Sequence, residues 1–257
     1  MEERKKKEIE YYDNQAKKEI KEVEFKGDFE GFDPTILSSY SFCYQLLEKH
    51  CKNKKILDYG CGNGVHSIFL AKLGKKVVGI DLSEKAISLA KKKVKENNLE
   101  EKTDFLVMDC EKLEFPENHF DVIFDGGTFS SLDLDKALPE LARVLKKDGI
   151  LIGIETLGHN PLTNLKRKVN KKVGKRTEWA VDHIMKMEDF DKASNYFQEI
   201  EDYYFHLISW VNFPFLGFPG FVYLLKVLEA IERFLLNFSF LKKYSFKTVF
   251  VFSNPKK

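Results

Sequence analysis

The chain has 257 residues, 43% of them hydrophobic, so it is long enough to bury a full core and lies near the upper size limit of one domain. Its 42 Lys and Arg residues nearly balance 40 Asp and Glu residues, which excludes an overall charge that would attract nucleic acid or a strongly acidic partner. We therefore expect a single domain, 1–257, in which local patches carry any such binding.

The cysteines and the first residues of the chain bear on its compartment. None of the four cysteines belongs to a CxxC pair, and the sequence predicts no metal site. The chain begins with Met-Glu-Glu-Arg-Lys-Lys-Lys and lacks the apolar segment of a secretory signal. A reducing cytoplasm is therefore the expected location.

The spacing of apolar residues predicts the helices and strands in chain order. Residues 1–50 are expected to form a helical cover over the front of the domain, and nothing in them specifies chemistry. From Lys55 onward, short apolar runs alternate with stretches of helical periodicity. This alternation predicts an α/β fold, a doubly wound and mostly parallel sheet covered on both faces. The predicted strands are 55–59, 76–81, 104–108, 120–125 and 150–155, and the predicted helices are 65–73, 83–97 and 133–145.

Two inserts interrupt the alternation in the second half of the chain. A basic insert is predicted at 156–198, and an apolar insert, helical in its second half, at 210–240. A strand-like segment rich in Phe, Tyr and Val follows each of the two breaks, at 200–209 and at 245–252. The alternation of strands and helices seen in the first half of the chain therefore resumes at these two segments.

A glycine-rich turn lies between the first predicted strand and the helix after it. Gly60, Gly62 and Gly64 give the spacing GxGxG, and glycine allows the backbone to turn tightly and to come close to a ligand. The dinucleotide fingerprint GxGxxG needs a glycine at position 65, where this chain has Val65. Asp58, just before the turn, would repel a pyrophosphate but attract the ammonium group of a methionine-like moiety. The charge therefore argues against NAD and favours a zwitterionic cofactor.

Two further acids stand where predicted strands end. Asp81 ends the second strand, where a carboxylate can accept from both ribose hydroxyls, although NAD enzymes use the same device. Asp109 follows the third strand, where a carboxylate can accept from an exocyclic adenine amine while Cys110 offers its backbone amide. Asp58, Asp81 and Asp109 would together span one nucleoside and its amino-acid tail.

Several short motifs occur together between residues 36 and 155. They are Ile56-Leu-Asp-Tyr-Gly-Cys-Gly-Asn-Gly64, Gly79-Ile-Asp-Leu-Ser83, Asp109, Phe120-Asp-Val-Ile-Phe-Asp125 and Leu141-Ala-Arg-Val-Leu-Lys-Lys-Asp-Gly-Ile-Leu151. In this combination the chain resembles the class I S-adenosylmethionine-dependent methyltransferases. The resemblance implies a Rossmann-like methyltransferase fold, with a seven-stranded sheet whose last strand, 245–252, runs antiparallel. It also implies N-terminal helices and inserts after strands 5 and 6.

The resemblance further implies S-adenosyl-L-methionine as the cofactor and a set of residues that bind it. The glycines of the turn and Asp58 would surround the methionine portion. Asp81 would bind the ribose, and Asp109 would lie near the adenine. Asp125, or its neighbours Gly126 and Gly127, would lie beside the sulfonium and the acceptor. The complete expected set is Asp58, Gly60, Cys61, Gly62, Asp81, Leu82, Asp109, Cys110 and Asp125.

The residues after 155 bear on what is methylated. The segments 156–165 and 182–190 resemble stretches of quinone-biosynthesis O-methyltransferases. This resemblance implies transfer to a hydroxyl, less readily to an amine, of a small acceptor. The basic run within 166–176 and the uncharged aromatic stretch 210–223 indicate that the acceptor is amphipathic or lipid-like. Because a hydroxyl needs a proton acceptor, the candidate catalytic residues are His183 first, then His159 and Asp125.

The sequence also bears on larger partners. The segment 125–128 lacks the Pro-Pro-aromatic motif of enzymes that methylate amino groups of nucleic acids, so nucleic acid is not expected. A basic run within 166–176 and the uncharged aromatic stretch 210–223 fit a peripheral contact with an anionic membrane. The same residues fit an apolar lid over the acceptor or a contact in a homodimer. Residues 207–225 are uncharged and as long as a membrane-spanning helix, but prolines and glycines interrupt them and no span is expected.

Two other functions stay open from the sequence. One is an NAD-dependent oxidoreductase, because an acid at the end of the second strand serves that class as well. The other is a catalytically degenerate methyltransferase fold that works as a membrane or protein adaptor. Binding of the methyl donor separates the first alternative from a methyltransferase, and turnover separates the second.

Overall fold

The computed structural model describes residues 2–26, 37–172, 177–215 and 218–257. Helices and strands alternate through most of these ranges. In chain order they are α1 (Glu3–Lys26), α2 (Ser38–His50), β1 (Lys55–Tyr59), α3 (Val65–Leu73), β2 (Lys76–Asp81), α4 (Glu84–Glu96), β3 (Thr103–Val107), β4 (Phe120–Asp125), α5 (Leu134–Val144), β5 (Leu145–Thr156), α6 (Pro161–Lys172), α7 (Glu178–Asp182), α8 (Met187–Ala193), β6 (Phe197–Phe205), α9 (Phe221–Leu235), α10 (Ser239–Lys242) and β7 (Lys247–Pro255).

The strands of the described chain form one seven-stranded sheet, in the order β3-β2-β1-β4-β5-β7-β6. The pairs from β3 across to β5 are parallel, whereas β7 runs antiparallel to both β5 and β6. The predicted fold is therefore confirmed, including the antiparallel last strand, the N-terminal helices and the inserts after β5 and β6. The strand order reverses between β1 and β4, and in such sheets a crevice opens beyond the carboxyl ends of the strands at that point.

Alternate residues of each strand pack on opposite faces of the sheet. Leu57 and Tyr59 of β1 belong to a core cluster covered by α5 and α8, whereas Ile56 belongs to a cluster covered by α2 and α3. In β7, Phe250 and Phe252 pack into the first of these clusters. A strand buried on both faces needs apolar side chains at nearly every position, which explains the continuous apolar runs in the sequence.

Four of the seven strands differ from their predicted bounds, and β5 and β6 differ most. β5 begins at Leu145, earlier than the predicted 150–155, because Leu145 pairs with Phe120 before an irregularity in the register. β6 ends at Phe205 and does not reach residue 209, because His206 has a φ of +60° and turns the backbone out of the extended conformation. The apolar alternation continues past His206 in the sequence, so it could not reveal this end.

The uncharged stretch 207–225 does not match one regular element. It contains a 3-10 helix, Ser209–Phe215, and the first residues of α9. Gly220, with a φ of +84°, stands at the N-cap of α9. Among the helices that the structure describes, none is long and apolar enough to cross a membrane.

Candidate active site

A cavity lies at the carboxyl ends of the parallel strands, where the strand order reverses. It encloses about 810 Å³ of empty space, including its open mouth, which is within the usual range of small-molecule sites. Its floor consists of the loops after β1, β2, β3 and β4, and its roof is one face of α1. Most of the residues predicted to bind a cofactor line it: Gly60, Gly62, Asp81, Leu82, Asp109 and Cys110.

The glycine-rich turn after β1 presents bare backbone to the cavity. Gly60 and Gly62 have φ values of +68° and +51°, a region that side chains other than glycine rarely adopt. A Cβ at Gly60 would overlap the side chain of Thr128, whereas a Cβ at Gly62 would meet no atom within 4 Å. Because Gly62 lines the cavity, a ligand can approach its backbone closely.

The Asp81 carboxylate joins the loop after β1 to the loop after β2. One oxygen accepts from the backbone N–H of Gly62 at 3.0 Å, and the other accepts from the backbone N–H of Ser83 at 2.8 Å. Burial raises the pKa of Asp81 above its usual value. A carboxylate can accept about four hydrogen bonds, so Asp81 keeps capacity for donors in the cavity.

Asp58 and Cys61 lie beneath the turn, outside the lining that the structure describes. Asp58 is buried and accepts from the hydroxyl of Ser67, and burial raises the pKa of its carboxyl to about 7. Cys61 is also buried and packs with Ile87 and Ala90 of α4. Of the two ways in which the sequence lets Asp58 attract an ammonium group, directly or through water, its buried position favours the second.

Substitution of Asp58 tests its buried state. A carboxyl whose pKa rises from 3.8 to about 7 on folding stabilises the fold below about pH 4, and this contribution is lost as the pH rises through 7. Between pH 4 and pH 8, the wild type should lose up to about 4 kcal/mol of unfolding free energy through the ionisation of Asp58. Asp58→Asn should not show this loss. Urea unfolding at both pH values measures this, with the exposed Asp148→Asn as a control that shows the same loss as the wild type. Parallel pH profiles for wild type and Asp58→Asn would contradict it.

Asp125 lies under the loop that follows β4. One oxygen accepts from the backbone N–H of Thr128 at 2.9 Å, and the other is buried with no hydrogen-bond partner among the described residues. Burial, and next the negative charge of Glu155, raise the pKa of Asp125 well above its usual range. Glu155 accepts from the backbone N–H of Phe129 at 2.6 Å. The two acids therefore hold the loop from below, and it is Gly126 to Thr128 of that loop that line the cavity.

Ion pairs tie the first turn of α1 to the loop after β3. Arg4 donates to both oxygens of Glu111, at 2.6 and 2.5 Å. Lys5 lies 2.6 Å from a carboxylate oxygen of Asp109 and 2.8 Å from Glu111. Glu111 also accepts from the backbone N–H of Asp133 at 2.7 Å. Asp109, which the sequence assigns to an adenine amine, thus already has a cationic partner.

Further contacts hold the rest of α1 over the cavity. The Tyr12 hydroxyl lies 3.2 Å from that of Ser131, and Asp13 pairs with Lys85 at 2.8 Å. The sequence predicts a helical cover within residues 1–50, but not that one of its helices lines the cavity, because these residues carry no recognisable motif. The available signal was spacing: residues 5, 8, 9, 12 and 16 fall on one side of a helix, and the structure places four of them in the cavity lining and buries Ala16.

The two candidate histidines lie elsewhere. His183 is exposed and stacks on Trp179, with ring centroids 3.5 Å apart. His159 accepts from the backbone N–H of Met187 at 3.0 Å. Of the residues that the structure describes, neither histidine is part of the cavity lining. Their role as proton acceptors stays a prediction that this arrangement does not support.

Comparisons with known proteins agree on one family. The sequence model of the methyltransferase domain matches residues 57–153. A ubiquinone biosynthesis O-methyltransferase of Pelagibacter ubique is 41% identical over 111 residues, which cover 43% of this chain and 45% of that protein. A protein of Methanocaldococcus jannaschii named "Putative protein N5-glutamine methyltransferase" is 32% identical over 143 residues, which cover 47% of this chain and 68% of that protein. The chain spans about half the length of the first of these relatives.

A solved structure shares the fold. The geranyl diphosphate C-methyltransferase of Streptomyces coelicolor, solved with Mg²⁺, geranyl diphosphate and S-adenosyl-L-homocysteine, superposes with a TM-score of 0.60. The match covers 84% of this chain and 80% of that chain at 15% sequence identity. At this identity the likeness concerns the fold alone.

Proposed function

Because this chain belongs to the class I S-adenosylmethionine-dependent methyltransferases, we propose that it transfers a methyl group from S-adenosyl-L-methionine to a small acceptor. The observation that carries the proposal is the cavity in which the bare Gly60–Gly64 turn and the Asp81 carboxylate face the covering helix α1. Family membership supplies the reaction class, and the cavity supplies a place of suitable size and chemistry for the donor.

The residues present fit an adenosine that carries an amino-acid tail. Asp81 would accept from the ribose hydroxyls, since its carboxylate lies in the lining with capacity left for donors. The space beside Gly62 would admit the tail, because no side chain fills it. Leu82 and the backbone of Cys110 would border the adenine. We further propose that Asp58, from beneath the turn, favours a positively charged tail through the solvent or its field.

The cofactor supplies a methyl group that is already activated on a sulfonium, so the protein has mainly to align the acceptor with it. The loop Gly126 to Thr128 and the roof of α1 border the space next to the glycine-rich turn. We propose that the acceptor enters there. The buried acids Asp125 and Glu155 would act as positioning residues, because they hold this loop through its backbone amides.

We propose a hydroxyl of a small, amphipathic molecule as the acceptor. The ubiquinone biosynthesis relative is named an O-methyltransferase, and the lining contains polar groups suited to a hydroxyl, namely the hydroxyls of Tyr12 and Ser131 and the carboxyl of Glu8. Glu8 is buried on the roof of the cavity and would take the proton, in preference to His183 and His159. An amine acceptor would need less help with its proton and is the weaker candidate.

Calorimetry with S-adenosyl-L-homocysteine tests the cofactor half of this proposal. We expect one molecule to bind per chain with a micromolar Kd, and NADH to show no heat of binding under the same conditions. Absence of S-adenosyl-L-homocysteine binding would contradict the proposal, and binding of NADH in its place would favour the oxidoreductase.

Methyl transfer to an acceptor tests the other half of the proposed function. The protein is incubated with methyl-labelled donor and an extract fractionated into lipids, small polar metabolites and macromolecules. We expect label in an organic-soluble product of low mass, lost when Glu8 is replaced by glutamine. Label in the macromolecular fraction would contradict a small acceptor, and cofactor binding without label in any fraction would indicate the degenerate adaptor.

A further inference from the structure

The largest group of exposed apolar side chains in the described chain lies on α9 and α10. Tyr223 is 77% exposed, Phe234 66% and Phe240 67%. Residues 223, 227, 231 and 234 follow helical spacing, so their side chains form one stripe along α9. We call the following residues the α9–α10 face: Tyr223, Val227, Ile231, Phe234, Phe238 and Phe240.

The opposite side of α9 fixes the orientation of this face. Phe221 and Leu225 pack against Leu37. The Glu229 carboxylate accepts from the backbone N–H of Ser38 at 3.1 Å, and that of Glu232 accepts from the backbone N–H of His206 at 2.9 Å. The helix is therefore anchored by its acidic side, and the apolar stripe is left outside.

This anchoring also decides the charge of the outer surface. Residues 207–246 contain six charged side chains, and the two acids are the buried Glu229 and Glu232. The other four are basic: Lys226, Arg233, Lys242 and Lys243. Lys226 also pairs with Glu229 at 3.2 Å. What this region presents to the solvent is thus apolar and positively charged.

Helix α6 adjoins the same region and has a similar character. The amide of Asn160, just before α6, donates to the carbonyl of Tyr244 at 3.0 Å, close behind α10. Leu162, Leu165 and Val169 of α6 are exposed, and Lys168 is exposed between them. Lys175 and Arg176 of the predicted basic run lie outside the described residues.

We propose that the α9–α10 face binds the surface of an anionic lipid bilayer. Its aromatic and aliphatic side chains would enter the boundary between head groups and acyl chains, and Lys226, Arg233, Lys242 and Lys243 would meet the anionic head groups. This inference is independent of the proposed reaction, because no residue of the face lines the active-site cavity that the structure describes.

The charge pattern favours a bilayer over a second copy of the chain. In a symmetric dimer through this face, the basic side chains of one copy would face those of the other, with both nearby acids buried. An anionic lipid surface instead complements both the apolar and the basic groups. Within the aromatic stretch 210–223, Phe221 is buried in the core contact with Leu37, whereas Phe215, Phe218 and Tyr223 are exposed.

Vesicle sedimentation tests the proposal with the full chain. The vesicles consist of phosphatidylcholine alone or of phosphatidylcholine mixed with phosphatidylglycerol. We expect binding to the mixed vesicles and at least tenfold weaker partitioning to the neutral ones. Phe234→Ser with Phe240→Ser should remove binding, whereas Leu106→Ser with Val107→Ser, at exposed positions on the opposite edge of the sheet, should leave it unchanged.

Reversing the charge of two basic side chains measures the electrostatic contribution to membrane binding. Each basic side chain near an anionic surface contributes about fivefold to partitioning, so Arg233→Glu with Lys243→Glu should lower it by more than tenfold. The matched control, Lys91→Glu with Lys92→Glu on exposed positions of α4, should not. Far-ultraviolet circular dichroism serves as the folding control, and the spectrum should be the same in all variants.

Three results would overturn the proposal. The first is equal partitioning to neutral and mixed vesicles. The second is unchanged binding after Phe234→Ser with Phe240→Ser. The third is self-association in light scattering that the same two substitutions abolish, without vesicle binding, which would assign the face to a second copy. None of these results bears on the methyl-transfer proposal, whose own test is cofactor binding.

Discussion

Asp81→Ala is expected to raise the Kd for S-adenosyl-L-homocysteine by about a hundredfold or more. In the structure the carboxylate accepts from the backbone N–H of Gly62 and of Ser83, and in the proposed complex it accepts from the ribose hydroxyls as well. Each hydrogen bond to a charged group contributes roughly 1.5–3 kcal/mol, and the substitution removes several together. Isothermal titration calorimetry measures the change directly.

Two further variants make this result specific. Asp81→Asn keeps the shape and one acceptor oxygen but not the charge, so it should lose part of the affinity. Asp104→Ala removes an exposed carboxylate of β3, which pairs with Lys76 at 3.1 Å, and should bind as the wild type does. If Asp81→Ala binds with wild-type affinity, Asp81 does not bind the ribose. An equal loss in Asp104→Ala would trace the effect to general stability.

Gly62→Ala is expected to weaken cofactor binding by roughly tenfold to a hundredfold while the chain still folds. The new methyl group would enter open space at a residue of the cavity lining, where the proposed tail of the cofactor lies. Crowding of a close-packed site costs about 1–3 kcal/mol. The φ of +51° adds a strain of about 1–2 kcal/mol to the folded state. Calorimetry and thermal unfolding measure the two effects separately.

Gly220→Ala is a matched control for the backbone strain. Gly220 also has a positive φ, +84°, and a Cβ there would likewise meet no atom within 4 Å. It caps α9 and is not among the described residues that line the cavity. We therefore expect similar destabilisation with unchanged affinity. If both glycine variants lose affinity equally, strain and not crowding is the cause, and the space beside Gly62 is not where the cofactor binds.

Helix α1 also influences the affinities that both experiments measure. Arg4 and Lys5 pair with Glu111 and Asp109, and all four residues line the cavity, so a bound cofactor would lie beside these ion pairs. One oxygen of Asp109 accepts from Lys5 and the other from the backbone N–H of Glu111, so a contact with an adenine amine would use the remaining capacity of this carboxylate. Affinity in this site would therefore depend on the charges of α1 as well as on the contacts of the floor.

The order of residues was enough to predict the fold class and most of the residues that form the cavity floor. Apolar periodicity is a local property, and strands buried on both faces leave continuous apolar runs. Closely spaced glycines such as Gly60 and Gly62 indicate a turn from local sequence alone. An acid at the end of a predicted strand, such as Asp81, can be located in the same way. Parallel strands then bring their carboxyl ends together, so separate motifs could be assigned to one site.

Only the packed chain reveals which of these acids face the cavity and which side chains of the predicted helical cover line it. Asp58 and Asp125 stand at strand ends as Asp81 does, yet both are buried beneath their loops, because the direction of a side chain depends on what packs around it. A sequence motif likewise could not predict that His183 lies outside the cavity lining.

The orientation of α9 shows the same limit most clearly. Its sequence offers two sides, one apolar and one with Glu229 and Glu232, and hydrophobicity alone would bury the first. The fold buries the acidic side, because these carboxylates satisfy backbone N–H groups of distant segments at Ser38 and His206. Hydrogen bonds between residues far apart in the chain leave no periodic trace in the sequence, so only the assembled structure could reveal which side of the helix faces outward.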